Sequence, residues 1–283
     1  MNPTDYTISV REIAEFVHRR GDLGGEGQFQ RRNRAIEGIK GHQRIQKSRG
    51  PEYRSEVPIE GTFTQSGVQL KVQGRIDGLI DGLIPHLEEI KTVESRWSRE
   101  ANPVHWAQVR LYAGLLTLQN ECAQFSLQLT YLELETEEVT IFHQEITREE
   151  AISFLHETIA EWFSWLVPHV EWIRQRNHSI ETVPFPFNPF RKGQRELSIS
   201  VYRAIRDRHH LFVEAPTGMG KTLATLFPAI KALPLMEEGK IFYATAKGSG
   251  RWTAEEGAER LRKSGLRLRS LSLTAKSKIC FSE

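Results

Sequence analysis

Leu211-Phe212-Val213-Glu214, followed by Ala215-Pro216-Thr217-Gly218-Met219-Gly220-Lys221-Thr222 and then by the segment up to Leu233, sets the reading of this chain. The first four residues have the apolar character of a short strand, and Lys221 to Leu233 has the composition of a helix. Between them stand Gly218 and Gly220, then a lysine and a threonine. A loop that closes on phosphate needs small residues so that successive backbone N–H groups converge, and the helix that follows adds the positive end of its dipole. In such a loop Lys221 reaches the β- and γ-phosphates of a nucleotide, and the Thr222 hydroxyl ligates Mg²⁺. The strict pattern G-x-x-x-x-G-K-S/T begins with glycine. Here Ala215 stands first, which is tolerated where the residue does not need positive φ.

At 283 residues the chain is long enough for about two domains, each with its own core. Lys and Arg number 38 against 36 Asp and Glu, so any surface that attracts nucleic acid has to be local. Cys122 and Cys280 lie far apart and make no disulfide framework, which fits a reducing, cytoplasmic setting. No apolar run approaches the ~20 residues of a membrane span, and Asp5, Arg11 and Glu12 break up the N-terminus where a signal peptide needs an apolar core.

Outward from the loop, the spacing predicts an α/β chain. Ser9 followed by Glu12 is a capping-box pattern before apolar Val10, Ile13, Ala14 and Val17. A basic helix is expected from about Gln28 to Lys47, then strands over Glu56–Phe63, Val68–Gly74 and Leu87–Val93. A helix over His105–Leu118, strands over Gln124–Leu134 and Glu138–Gln144, and helical residues Arg148–Arg176 bent or broken near Pro168 complete the first domain. Three prolines among three phenylalanines between Thr182 and Phe190 mark a docked linker. The expected division is 1–180, a linker over 181–190, and 191–283.

On these residues the phosphate loop Ala215–Thr222 resembles motif I of superfamily 2 helicases. Phe187-Asn188-Pro189-Phe190-Arg191 through Gln194 is similar to their glutamine motif, which implies that Gln194 reads adenine through its amide. Ile241-Phe242-Tyr243-Ala244-Thr245-Ala246-Lys247 reads as a buried strand similar to motif Ia, implying that Thr245 touches a DNA backbone. With Leu273-Thr274-Ala275-Lys276-Ser277-Lys278-Ile279-Cys280, the segment resembles the XPD and DinG branch, whose first motor domain carries an inserted 4Fe–4S cluster. That resemblance implies ATP, Mg²⁺ and, in a longer protein, a cluster with Cys280 as its first ligand. One thiolate cannot hold a cluster that takes four, and Cys122 reads as a buried apolar residue. No apolar strand ending in Asp-Glu follows Leu223, so the expectation is an incomplete motor, the opening of a RecA-like ATP-binding domain.

The first domain carries four signals in order: His42 on the basic helix, Asp77 in Gly74-Arg75-Ile76-Asp77-Gly78, Glu89-Ile90-Lys91 on the next strand, and Gln108 with Tyr112 on one helical face. Alternation along a strand turns Glu89 and Lys91 to one side. Two carboxylates and an imidazole suit one or two hard cations that neutralise phosphate and acidify a bound water, and a lysine suits the charge that develops on phosphate. Each element alone has a plainer explanation: Asp77 as a turn cap beside Gly78, Glu89 and Lys91 as a solvated edge, Tyr112 as core. In order, they resemble the RecB-type branch of the PD-(D/E)XK nucleases. The resemblance implies a mixed sheet with flanking helices, His42, Asp77, Glu89 and the Ile90 carbonyl as ligands for Mg²⁺ or Mn²⁺, a catalytic Lys91, and DNA contacts by Gln108 and Tyr112.

Basic residues around His42 (Arg31, Arg32, Arg34, Lys40, Arg44, Lys47 and Arg49) suit a phosphate backbone or are simply a solvated face. A second group, Arg260, Arg262, Lys263, Arg267 and Arg269, invites the same two readings. The expectation is an ATP-dependent DNA helicase joined to a metal-dependent nuclease, acting on single-stranded or forked DNA in repair or recombination. A non-catalytic DNA clamp feeding the motor, and a nucleotide site of an unrelated switch or kinase, are the competing readings.

Overall fold

The computed structural model describes residues 5–20, 31–94, 97–236, 239–246 and 248–275, and the chain divides into two compact units, one ending at Val170 and the other beginning at Glu171. Cys280, Lys247 and the side chains of Arg31, Arg32 and Arg34 lie outside the described residues.

The first unit is built from β1 (Asp5–Ser9), α1 (Val10–His18), α2 (Arg31–Lys47), β2 (Tyr53–Gln65), β3 (Val68–Ile80), β4 (His86–Val93), α3 (Pro103–Leu116), β5 (Gln124–Glu133), β6 (Val139–Thr147) and most of α4 (Arg148–Thr182). The capping box forms as its spacing predicts. Ser9 Oγ accepts the Glu12 N–H at 3.1 Å and the Glu12 carboxylate accepts the Ser9 N–H at 3.0 Å. Val10, Ile13, Ala14 and Val17 then face the core.

The sheet is mixed. β2 runs antiparallel along all of β3, joined through Ser66 and Gly67, both at positive φ, as a tight hairpin requires. The other edge of β3 is shared. β1 pairs with it in parallel over Gln69–Gln73, and β4 pairs antiparallel only over Gly78–Ile80. β4 continues in parallel beside β5 from His86↔Ser126 to Val93↔Glu133, and β6 closes the sheet antiparallel. One face packs Leu70, Val72 and Leu127 against Leu111 and Leu115 of α3, Ile13 of α1, and Leu155 and Phe163 of α4. On the other face α2 sets Ile45 against Ile90 and Leu132. This is the expected α/β fold with a mixed sheet and flanking helices.

One expectation changes and an open one is settled. The strand read as ending near Gly74 continues to Ile80, so Asp77 sits inside β3 rather than at its end. Of the two readings of Arg148–Arg176, one helix bent or two helices broken near Pro168, the uninterrupted one holds, and the helix runs on to Thr182. An interior proline costs about 3 kcal/mol. Leu166 and Val170, on either side of it, are both buried and keep the helix in place.

The second unit holds the last turns of α4, then α5 (Gln194–Arg206), α6 (Lys221–Ala232), a short 3-10 turn at Leu233–Leu235 and α7 (Gly248–Lys263). Ile180, Val183, Leu226, Ile230, Leu233 and Leu261 form its core. The proline-rich linker is docked on protein: Phe185 stacks on Phe190 at 4.3 Å and meets Phe227 edge-on at 5.3 Å. The strands expected at Leu211–Glu214 and Ile241–Lys247 are not formed among the described residues. Both segments have the alternation of a strand. Leu211, Val213, Ile241 and Tyr243 line a groove with residues of α5 and α6, while Phe212 and Phe242 point away, 96% and 86% exposed. The helices cover one face of these segments, and no hydrogen-bonded neighbour among the described residues turns them into a ladder.

Candidate functional site

The acidic centre lies where the sheet forks. The β3–β4 ladder stops at Gly78↔Glu88, which makes Asp77 and Glu89 the first residues beyond it. The Ile90 N–H, freed from the ladder, donates to Asp77 Oδ2 at 2.7 Å. From α2, His42 Nδ1 stands 3.7 Å from the same oxygen. Glu89 and Lys91 share a face, as strand alternation predicts, and Lys91 Nζ meets Glu89 Oε1 at 2.5 Å. The other carboxylate oxygen, Glu89 Oε2, is buried without a hydrogen-bond partner. The structure therefore brings His42, Asp77, Glu89 and Lys91 together.

Burial pushes the Glu89 carboxyl up to about 7; Lys91 and His42 pull it down and the Asp77 charge pushes it further up. Behind Lys91, Gln108 Oε1 accepts from its ammonium at 3.2 Å, and Gln108 Nε2 donates to the Tyr112 hydroxyl at 3.3 Å. Gln108 and Tyr112 are both buried, 6% and 3% exposed, so they support the lysine instead of presenting a surface to DNA. Gly74 gives Tyr112 its space: a Cβ there would lie 2.8 Å from the ring. Burial, then the nearby Glu89 charge, raises the Tyr112 phenol. His105 bonds the Tyr131 hydroxyl at 2.8 Å, and burial followed by the Lys91 charge depresses its imidazole to about 3, which keeps it neutral.

The donors at the fork are the carboxylates of Asp77 and Glu89, which are hard, and the His42 imidazole; one of the carboxylate oxygens, Glu89 Oε2, is buried and satisfied by nothing else. That orphaned oxygen fits a divalent cation such as Mg²⁺ or Mn²⁺. Among the described residues no three His, Cys, Asp or Glu side chains are already drawn together as a metal cage. Asp77 is turned to the Ile90 amide and Glu89 to Lys91. The Ile90 group bonded at the centre is its N–H, while its side chain packs on the α2 face.

Sequence reasoning missed a second buried glutamate. Glu88, next to Glu89 and also 1% exposed, points to the opposite face. Arg49 grips both its oxygens, its Nε donating at 3.2 Å, and Gln128 Nε2 donates at 2.7 Å; Thr130 and Tyr53 also donate to it. Burial alone would raise Glu88, but these hydrogen bonds outweigh it and hold the carboxyl below its ordinary value. The signal was present in the sequence as two adjacent acids on an otherwise apolar strand.

In the second unit Gly218 and Gly220 adopt φ of 84° and 83°, the left-handed conformation that lets the loop turn into α6. Lys221 Nζ spans the loop, donating to the carbonyls of Ala215 at 3.0 Å and Pro216 at 2.8 Å. Pro216, Thr217 and Gly218 are exposed, and Met219 and Thr222 are half-buried. Gln194 is only 2% exposed. Its Oε1 accepts the Arg191 N–H at 3.1 Å and its Nε2 donates to the Gly220 carbonyl at 3.3 Å, so the amide is engaged with the loop itself. Arg191 adds a bond to the Gly218 carbonyl at 2.6 Å. Thr245 is exposed beside the first turn of α7, where Gly250 leaves room for it.

Fold and sites together describe a mixed α/β unit with a buried acidic centre, in one chain with a glycine-rich loop that opens a helix. No protein-family model matches the chain. Over 46 residues it is 44% identical to a protein of Methanocaldococcus jannaschii described as a probable ATP-dependent helicase; the match covers 16% of this chain and 7% of that relative. Among solved structures it is similar to SSO0001, with a TM-score of 0.37 and 17% identity over 54% of this chain and 75% of that one. It is also similar to an alkaline exonuclease of Laribacter hongkongensis, with a TM-score of 0.37 and 14% identity over 60% of this chain and 92% of that one. Both structural likenesses are distant. Among the described residues no helix is long and apolar enough to cross a membrane.

Proposed function

We propose that the first unit is a divalent-metal-dependent DNA nuclease and that the second carries the ATP-binding loop of a helicase-type motor of the XPD and DinG kind, serving DNA repair or recombination. The observation that carries the nuclease reading is the buried, unpartnered Glu89 Oε2 at the sheet fork, beside Asp77 and the Lys91 ammonium. His42, Asp77 and Glu89 would hold Mg²⁺ or Mn²⁺, which supplies neutralisation of phosphate charge and acidifies a bound water. Lys91, kept in place by Gln108, offers its ammonium to the charge that develops on the phosphate. In the second unit Lys221, now on two loop carbonyls, would hold the β- and γ-phosphates of ATP, and Thr222 would hold the accompanying Mg²⁺. The helicase description of the Methanocaldococcus relative supports the motor reading over the short stretch it covers.

The test is cleavage of single-stranded and forked DNA by the full chain with Mg²⁺, with Mn²⁺ and with a chelator. Cutting should require the divalent ion, and Asp77→Ala or Lys91→Ala should abolish it while DNA binding, which comes mainly from phosphate contacts elsewhere, persists. The second reading is a DNA clamp without catalysis, favoured by the absence of a ready-made three-ligand cage among the described residues. It prevails if the wild-type chain binds DNA and cuts none of these substrates with either ion.

A further inference from the structure

Asp77 is held in an unusual way for a residue in the middle of a strand. The β2–β3 register passes from Ser55↔Gly78 to Val57↔Ile76 and skips the pair Glu56/Asp77. Glu56 has φ of 54°, a conformation that costs a non-glycine residue about 1–3 kcal/mol and that interrupts the ladder opposite Asp77. The Asp77 carbonyl is met by side chains instead. Gln46 Nε2, from α2, donates to it at 3.0 Å, and the Tyr53 hydroxyl, at the start of β2, lies 3.4 Å from it. Gln46 uses its second N–H on Glu56 Oε1 at 3.0 Å, which ties the interrupted strand to the same helix. Tyr53 is in turn anchored by Glu88, and Glu88 by Arg49, two residues beyond α2. Gly78 makes this possible, since any Cβ there would fall 1.8 Å from the Tyr53 oxygen.

We propose that Gln46 and Tyr53 are positioning residues of the acidic centre: Gln46 grips the Asp77 peptide in place of the missing ladder bond, Tyr53, held by Glu88, walls in the same carbonyl, and together they aim the Asp77 carboxylate at the fork and lock α2, with His42, over it. Glu88 and Arg49 form the anchor behind Tyr53. The functional consequence rests on the nuclease reading, and the structural one does not. Residues that orient a metal ligand typically change metal affinity or activity by about 10–100-fold when removed.

The experiment compares the full-length wild type with Gln46→Leu/Tyr53→Phe, which keeps side-chain bulk and removes the Gln46 donor to Asp77 together with the Tyr53 hydroxyl that stands between the Asp77 carbonyl and Glu88. Exchange of the Ile90 amide, whose partner is Asp77 Oδ2, is followed with isotope-labelled isoleucine in the absence of metal, and Mn²⁺ affinity and DNA cleavage are measured in parallel. The Ile90 amide should exchange about tenfold faster while the buried strand β5 keeps its protection. Mn²⁺ affinity should fall about 10–100-fold, and kcat should drop with KM for DNA unchanged. Glu88→Gln, which weakens the anchor without touching Asp77, should move the same readings less far. Gln46→Leu alone carries the test if the double variant does not fold. Wild-type exchange at Ile90 in these variants overturns the proposal. A wild-type chain that binds no Mn²⁺ refutes the nuclease reading instead, and Ile90 exchange still decides this one.

Discussion

Replacing Glu89 by glutamine should stabilise the metal-free first unit at alkaline pH while abolishing its cutting. Glu89 is 1% exposed and its carboxyl is raised from an ordinary 4.5 to about 7. A shift of that size corresponds to about 3 kcal/mol between the protonated and ionised forms. Because the folded value is the higher one, the folded chain holds the proton more tightly. This contribution to stability is whole below pH 4.5, declines as the unfolded state ionises first, and is gone above about 7. Glutamine does not ionise, so its variant lacks the decline. At pH 8 the variant should exceed the wild type by up to about 3 kcal/mol, a figure already net of the Lys91 ion pair, and Lys91 keeps Gln108 as a partner. The assay is denaturant unfolding in chelator from about pH 5 to 8, followed by amide exchange in β5 so that the signal belongs to the first unit. Parallel pH profiles for the two proteins would refute the assignment of Glu89 as a buried acid poised near neutrality.

Two further outcomes follow from the geometry. Lys221→Ala removes the ammonium that spans the phosphate loop, and should weaken binding of a fluorescent ATP analogue by at least about tenfold while leaving metal-dependent cutting unchanged. Gly78→Ala drives a methyl group into the Tyr53 ring and hydroxyl; it should cost about 1–3 kcal/mol in thermal unfolding and reduce cleavage by displacing Asp77.

Most of the first unit was legible because its signals are local. The Ser9–Glu12 box, the alternation over β2 to β4 and the helical spacing around Trp106 to Leu115 each act within one element. The acidic centre was legible in its members but not in its wiring. Asp77 meets Ile90 and His42 only because β3 shares one edge between β1 and β4, a long-range fact that no window of sequence contains. Gln108 and Tyr112 were found by their four-residue spacing, yet their burial behind Lys91 depends on how α3 packs, and on Gly74 beneath the ring. Pro168 left one helix or two open, since local propensity favours a break, and the buried residues around it decide for one. In the second unit the helices and the loop followed their patterns, whereas Leu211–Glu214 and Ile241–Lys247 have the composition of strands without neighbours to pair with among the described residues. Composition specifies an inclination to pair, and only a partner completes it.

The adjacency of Glu88 and Glu89 has a consequence for how this chain tolerates mutation. The two acids are chemically alike and have opposite tasks, one kept ionised inside a cage of donors and the other left short of a partner at the fork. Only the pleat tells them apart. Either one-residue change in β4 ahead of them would flip both faces: an insertion would bring Glu88 to the fork and turn Glu89 to the place of Ile90, and a deletion would bring Glu89 into the cage of Arg49 and Gln128 and turn Glu88 to the place of Leu87. Such a chain would keep nearly the same composition and hydrophobicity and lose the centre altogether. Length changes in this lineage should therefore collect in the turn before His86 or after Val93, and β4 itself should vary by substitution alone.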